Sequence, residues 1–223
     1  MKIKLTVIVL ITIALLLSIS LGCKNQSSTP TEPADSSFHD GGVVVYEPNI
    51  YIYPKAQLRV SVQLDFPLGG NVIQSIPAYW DGWQVEVEPT GKIDNTYDYL
   101  FYESRTPDAY QYHSGWIVSR DSLSMFFRAN LSEAGFSERE INDFLDYWIP
   151  RLIDYSYFII YPQFSSDINR VIKLTISPPP DNVLRLYYVV EGSTKSELAI
   201  PKPTVPKFER KGFAVTEWGV VIK

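Results

Sequence analysis

The sequence predicts an α+β fold, built mainly of antiparallel β-sandwich-like sheets with an inserted helical hairpin. Two patterns carry that expectation. Apolar and polar side chains alternate at a period of two on both sides of the chain's middle, and between Asp121 and Pro150 the period changes to that of a helix. Prolines and glycines fall between these segments rather than inside them, as expected of turns that join short elements.

Alternation dominates from Val43 onward. Leu58, Val60, Val62, Leu64 and Phe66 point one way while Gln57, Arg59, Ser61, Gln63 and Asp65 point the other, the signature of a half-buried strand. Gly69, Gly70 and Asn71 supply a turn. Trp83, Val85 and Val87 then alternate with Gln84, Glu86 and Glu88 until Pro89 and Gly91 close the strand. Tyr97 to Glu103 and Gly115 to Ser119 read as further strands, rich in aromatic residues.

In the middle, Asp121 is placed to cap a helix carrying Leu123, Phe126, Phe127 and Leu131, and Gly135 to end it. Ser137 and Glu140 have capping-box spacing, and Ile141, Phe144, Leu145 and Trp148 fall on one face of a second helix that Pro150 stops. Strands resume at Tyr157 to Tyr161, Val171 to Ile176 and Val183 to Val190, with Pro178, Pro179, Pro180 and Asp181 connecting the last two. A second proline-spaced stretch from Pro201 to Pro206 leads to a final strand around Phe213 to Trp218. No linker separates the halves, so 43–223 reads as a single β-rich domain.

Ahead of that body, Lys2 and Lys4 precede an apolar run from about Leu5 to Leu17, and Ser20, Leu21 and Gly22 adjoin Cys23, the chain's one cysteine. The segment resembles a bacterial lipoprotein signal, with Ser20 and Leu21 in an unusual order. That resemblance implies a signal peptide over 1–22, cleavage before Cys23 and lipidation there, first of its thiol and then of its new amino group. An uncleaved membrane span is the competing reading of the uncharged run. Residues 23–42 are rich in Ser, Thr, Pro, Asp and Gly, with Phe38 their one large apolar side chain, so they cannot bury enough surface to offset the entropy of ordering and read as a disordered tether. The expected location is the cell envelope, anchored by lipid on the extracytoplasmic side; Lys24 after the cysteine favours the outer membrane by the sorting rule of enteric bacteria, and in a Gram-positive cell the same anchor sits on the one membrane, facing out.

Composition excludes several function classes. Twenty-five acidic residues stand against 20 basic ones, and loss of Lys2 and Lys4 takes the formal net charge from −5 to −7. No stripe of Lys and Arg offers the counterion release on which nucleic-acid binding depends. With Cys23 lipidated, the mature chain has no thiolate nucleophile, disulfide or cysteine metal site. Its two histidines, His39 and His113, are too few for a histidine-built zinc centre, and no G-x-S-x-G elbow is present. No cofactor and no metal are expected.

The remaining candidates are carboxylates and aromatic rings. Glu103 ends an aromatic strand, where desolvation raises a carboxyl pKa and suits it to act as a general acid if Asp143 or Asp146 supplies the partner carboxylate. The plainer roles are a solvated helix face for Asp143 and Asp146 and a strand cap or an Arg105 pair for Glu103. Tyrosine and tryptophan are abundant, at 15 and 5 residues, and sugars dock on flat rings. Trp80, Trp83, Tyr99 and Trp116 are the candidate ligand-binding residues, although rings of this kind equally line the rim of any β-protein. Trp148 and Trp218 are expected in the core, His113 on the surface, and Glu209, Arg210 and Lys211 as a charge cluster solvating a terminal strand.

Several phrases occur together and in order: Pro48-Asn49-Ile50-Tyr51-Ile52-Tyr53-Pro54; Asp81-Gly82-Trp83; Tyr99 to Glu103; Glu140 to Phe144 with Tyr147, Trp148 and Pro150; and Glu209-Arg210-Lys211-Gly212-Phe213 with Glu217-Trp218-Gly219. The set resembles an uncharacterised bacterial envelope family with an Ile-Tyr-Leu-Tyr-Pro-like opening and a Glu-Arg-Lys-Gly-Phe and Glu-Trp-Gly ending. Asn49, where a small apolar residue is usual, and Val220, where a second glycine is usual, depart from it. The resemblance implies one fold unit and an exported location, without an assigned active site. The expected function is a non-catalytic binding or envelope-scaffold module that meets a glycan, a peptide or another envelope protein. The alternative is a carboxylate-dependent hydrolase acting on a cell-envelope glycan.

Overall fold

A seven-stranded sheet forms the middle layer of the molecule, covered on one face by a three-stranded sheet and on the other by a helical hairpin. The structure is a computed structural model that describes residues 42–197 and 199–223. The expected signal peptide, Cys23 and 24–41 of the expected tether lie outside the described residues. The elements run β1 (Gly42–Tyr53), β2 (Leu58–Asp65), β3 (Asn71–Ile76), β4 (Trp83–Val87), β5 (Leu100–Pro107), β6 (Trp116–Ser119), α1 (Leu123–Ala134), α2 (Glu138–Trp148), β7 (Tyr157–Phe164), α3 (Ser165–Val171), β8 (Lys173–Ser177), β9 (Asn182–Ser193) and β10 (Ala214–Ile222). The large sheet has the order β3-β5-β1-β10-β9-β7-β6 and the small one β4-β2-β8. All neighbouring pairs are antiparallel except β9 and β10, which run parallel.

Side-chain periodicity explains the layering. In β2 and β4 the apolar residues Val60, Val62, Leu64, Trp83, Val85 and Val87 face inward and the polar ones face solvent, so this sheet needs cover on one side only. β9 and β10 lack that alternation because both of their faces are buried: Tyr187, Val189, Val215 and Val221 meet the small sheet and α3, while Leu184, Leu186, Tyr188, Trp218 and Val220 meet the hairpin. The hairpin presents Phe127, Leu131, Ile141, Phe144 and Trp148 to the sheet. Gly135 ends α1 with a left-handed φ of 108°, and Ser137 and Glu140 close a reciprocal capping box on α2.

Both buried faces contain a carboxylate, and both are fully engaged. Toward the small sheet, Glu217 pairs with Arg185 and accepts the hydroxyls of Tyr102 (2.7 Å) and Tyr187 (2.6 Å). Arg185 also donates to Asn169 Oδ1 (2.7 Å) and to the Ile172 carbonyl (2.6 Å), which ties α3 to the sheet. Toward the hairpin, Glu140 accepts Tyr53 (2.8 Å), Thr216 (2.7 Å) and the Ser137 N–H (2.7 Å), and it pairs with Arg210. Isolated charges buried like these would each cost several kcal/mol, and complete pairing removes that cost.

Several local expectations are corrected. Asp121 does not cap α1: it lies in a single turn of 3₁₀ helix, Arg120–Ser122, that leads into it. Val171 to Ile176 divides between two elements: Val171 packs with Ile168 on the buried face of α3, Ile172 follows in extended backbone, and β8 starts at Lys173. β5 begins at Leu100 because Ile93 and Tyr97 instead close a tight turn through the Tyr97 N–H to Ile93 carbonyl bond (2.9 Å). Asn71 opens β3, an edge strand whose polar composition hides it from periodicity. Arg210 is not part of a solvated cluster, for it reaches Glu140 and the Gly135 carbonyl (3.2 Å), and only Glu209 and Lys211 form an exposed pair.

The buried pair gives a test. Glu217→Gln strands the Arg185 charge and is expected to lower the unfolding free energy by about 3–5 kcal/mol in urea titrations. The double variant Arg185→Met/Glu217→Leu is expected to lose less than the single one, and additive losses would contradict the pairing.

Candidate functional site

β1 does not cross the sheet evenly. Its pairing with both neighbours shifts between Tyr46 and Asn49, so that Val45 and Ile50, an odd number of residues apart, face the same core. Glu47 sits in this bulge at a φ of 53°, a left-handed conformation uncommon for a residue with a Cβ. β5 runs opposite: Val45 pairs with Ser104 and Asn49 with Phe101, which leaves Tyr102 and Glu103 facing the bulged residues. The Glu103 carboxylate lies near the Glu47 backbone N–H, and the Glu47 carboxylate lies near the Tyr147 hydroxyl of α2.

Two adjoining hollows open at this point and share Glu47 and Tyr99. One, of about 300 Å³, is lined further by Asn49, Asp143, Asp146, Tyr147, Arg151 and Trp218. The other, of about 400 Å³, is lined by Gln74, Ile76, Thr96, Tyr97, Asp98 and Phe101. Asp143, Asp146 and Tyr147 share a face of α2 because they are spaced three and four residues apart. Tyr51 donates to Asp143 at 2.9 Å and stacks at a tilt on Tyr99, 5.2 Å between ring centres, which joins the strand and helix walls.

The cleft is acidic and incompletely compensated. Asp98 is matched by Lys92 (3.1 Å) and Arg139 (2.7 Å). Arg151 lies over the Tyr147 ring, 3.6 Å from its centre, and donates to the Tyr147 carbonyl. Burial pushes the Glu47 carboxyl above its ordinary range, opposed by the Tyr147 hydroxyl and aided by the neighbouring Glu103 charge. Burial likewise raises Glu103, against the Glu47 N–H, and Asp143, against the Tyr51 hydroxyl and Arg139. Four buried polar atoms among the described residues lack a protein partner: Oδ1 of Asn49 and Nε1 of Trp218, both residues of the wall, and Oγ of Ser104 and Nε1 of Trp148, which line neither hollow. Native folds rarely leave such atoms unmatched. Among the described residues no group of three or more metal-binding side chains converges.

The structure brings Glu103, Asp143, Asp146 and Tyr99 to one corner of the molecule. Glu103 lies inside β5 and not at its end. The other ring candidates are dispersed. Trp83 is buried between the sheets, donates to the Pro77 carbonyl (2.8 Å) and meets Tyr79 edge-on; Trp116 packs against Phe126 on the hairpin side; Trp80 is 84% exposed in the β3–β4 loop. Trp148 is buried, and His113 is exposed in its loop. Glu47, Asn49, Tyr147 and Arg151 complete the cleft and were not singled out as site residues from sequence. The available signal was Glu47-Pro48-Asn49 interrupting an otherwise apolar strand, since proline inside a strand marks an edge or a bulge.

Comparisons with protein-family models, with curated proteins and with solved structures give no match to this chain.

The raised carboxyl groups make stability depend on pH. A carboxyl whose folded pKa lies above its ordinary value, 4.5 for Glu103, contributes stability that is present below that value and lost as pH rises through the folded one. Glu103→Gln is therefore expected to raise the melting temperature at pH 7.5, and the gain over the parent is expected to shrink as the pH is lowered to 4. Calorimetry showing a gain independent of pH would contradict the assignment.

Proposed function

We propose that this chain is a lipid-anchored extracytoplasmic protein whose cleft at the β1 bulge binds a cell-envelope glycan without cleaving it. The carrying observation is the hollow at the bulge, whose wall brings the Tyr99 and Tyr147 rings together with the carboxylates of Glu47, Asp143 and Asp146. Sugar hydroxyls donate hydrogen bonds to carboxylates, and the tyrosine rings offer flat faces to sugar C–H groups. Concave shape with a few convergent polar groups fits a small-ligand site. The lipoprotein-like signal ending at Cys23 and the likeness to an envelope family support the location.

A second reading, a carboxylate-dependent hydrolase, draws on one feature. Glu47 and Glu103 are neighbours with raised carboxyl pKa values, and Glu47 is held in strained backbone. Such strain clusters at active sites, and a raised pKa suits a carboxyl to act as a general acid.

One assay separates the two. Soluble envelope-glycan fragments are expected to quench tryptophan fluorescence saturably, Tyr99→Ala is expected to weaken that binding about tenfold, equal to about 1.4 kcal/mol, and no new reducing ends are expected. Reducing ends released by the parent and abolished by Glu103→Gln would establish hydrolysis in place of binding. Anchorage is checked separately: Cys23→Ala is expected to move the expressed protein from the detergent phase to the aqueous phase of a cloud-point extraction, and no movement would remove the lipid from the proposal.

A further inference from the structure

We infer that the outer edge of β3 pairs antiparallel with the same edge of a second copy of this chain, joining two seven-stranded sheets across a two-fold axis. The inference concerns assembly and stands apart from the glycan-binding reading.

The four sheet edges among the described residues are not alike. An open edge invites other strands, and native sheets blunt it with charge, brevity or cover. β6 has four residues, none of them exposed, and the Gly115 N–H just ahead of it is held by the Pro201 carbonyl (3.0 Å). β4 carries Glu86, whose backbone carbonyl accepts the Asp94 N–H (2.8 Å) and whose N–H donates to Asp94 Oδ1 (2.8 Å), so the returning chain covers it. β8 opens on an exposed lysine, Lys173. β3 has six residues, no charge and no strand on its outer side. It keeps one guard, a bulge between Val72 and Gln74, and the residue in that bulge, Ile73, is apolar and exposed.

The uncharged stretch is wider than the strand. From Phe66 to Trp80 the sequence holds no acidic or basic residue, the longest such run among the described residues, and Leu68, Ile73, Ile76 and Trp80 along it are exposed. The chain's formal net charge is −5, so two copies repel over most of their surface and least where charge is absent. Two-fold antiparallel pairing lays this run against itself. No like charges meet, and each copy supplies the N–H and C=O groups that the other's edge leaves unpaired. A lipid surface would cover the apolar side chains and leave those groups unmatched. Nothing charged on the run selects a foreign strand, whereas a second copy brings the same uncharged run to every encounter. Such a contact uses one patch on both copies and so closes at two. Gln74 and Ile76 also line the larger hollow, so the join brings the clefts of both copies to one face of a continuous sheet.

The test uses the full chain in detergent, followed by sedimentation velocity over a roughly hundredfold range of concentration. Monomer and dimer are expected, with the dimer gaining as concentration rises. Ile73→Lys, checked for an unchanged melting profile, sets a charge against its own copy and is expected to weaken dimerisation at least about tenfold. Met125→Lys, at an exposed apolar position of α1, is expected to leave dimerisation unchanged. In hydrogen exchange, amides within Asn71–Ile76 are expected to exchange more slowly in the concentrated sample than in the dilute one. A chain that stays monomeric at the highest concentration overturns the inference. A dimer in which no amide of β3 responds to concentration overturns it too, by placing the contact elsewhere. Equal weakening by both lysine variants does so by assigning the association to general apolar contact, and growth past the dimer does so by excluding two-fold closure.

Discussion

The structure depends on β10 lying in the middle of a sheet covered on both faces. Its successive residues point to opposite layers, so Thr216 reaches Glu140 under the helical hairpin while Glu217, the next residue, reaches Arg185 under α3 and the small sheet. Each buried carboxylate would on its own destabilise the fold, and each is instead the point where several elements meet. Glu140 gathers α2, β1, β10 and the Arg210 segment; Glu217 gathers β5, β9 and, through Arg185, α3. Each network draws its partners from several elements, so loss of one carboxylate would loosen the contact between layers at that point.

The cleft inherits its rigidity from this arrangement. Two rungs join β1 to α2: Tyr53 to Glu140 at 2.8 Å and Tyr51 to Asp143 at 2.9 Å. Residues two apart on a strand face the same side, and residues three apart on a helix do so too, so the rungs lie side by side. One turn beyond Asp143, Tyr147 meets Glu47. The same hydrogen-bonded seam that fixes the hairpin on the sheet therefore places Asp143, Asp146 and Tyr147 over the bulge. A site built on strands and a capped helix loses little freedom when a ligand arrives, whereas one built on loops must first be ordered.

Legibility followed the strength of local patterning. β2 and β4 read clearly because each has one solvated face, and α2 because Ser137 and Glu140 cap it and its apolar stripe is continuous. α3 stayed hidden because seven residues make fewer than two full helical repeats and carry only two apolar positions, Ile168 and Val171. β3 was invisible because an edge strand with Asn71, Gln74 and Ser75 has little need of burial. Among the site residues, Glu103, Asp143 and Asp146 could be picked as acids near aromatics, but only the bulge brings them toward Glu47. Proximity of that kind arises from pairing across 50 or more positions of sequence, which no local period records.

The bulge also explains why the acids are where they are. An evenly paired β1 would keep Val45 and Asn49 on one face and direct Glu47 into the inter-sheet core beside Val60 and Val62, where its charge would have no partner. The left-handed turn at Glu47 rotates that carboxylate out to the rim beneath Tyr147 and lets Ile50 and Ile52 return to the core face. Asn49 and Trp218, paired across β1 and β10, are left beneath it with polar atoms unmatched by the protein. The fold thus engages Glu140 and Glu217 completely in its interior while setting Glu47, Asp143 and Asp146 on the wall of a hollow at its surface, where water solvates what the protein's own partners do not.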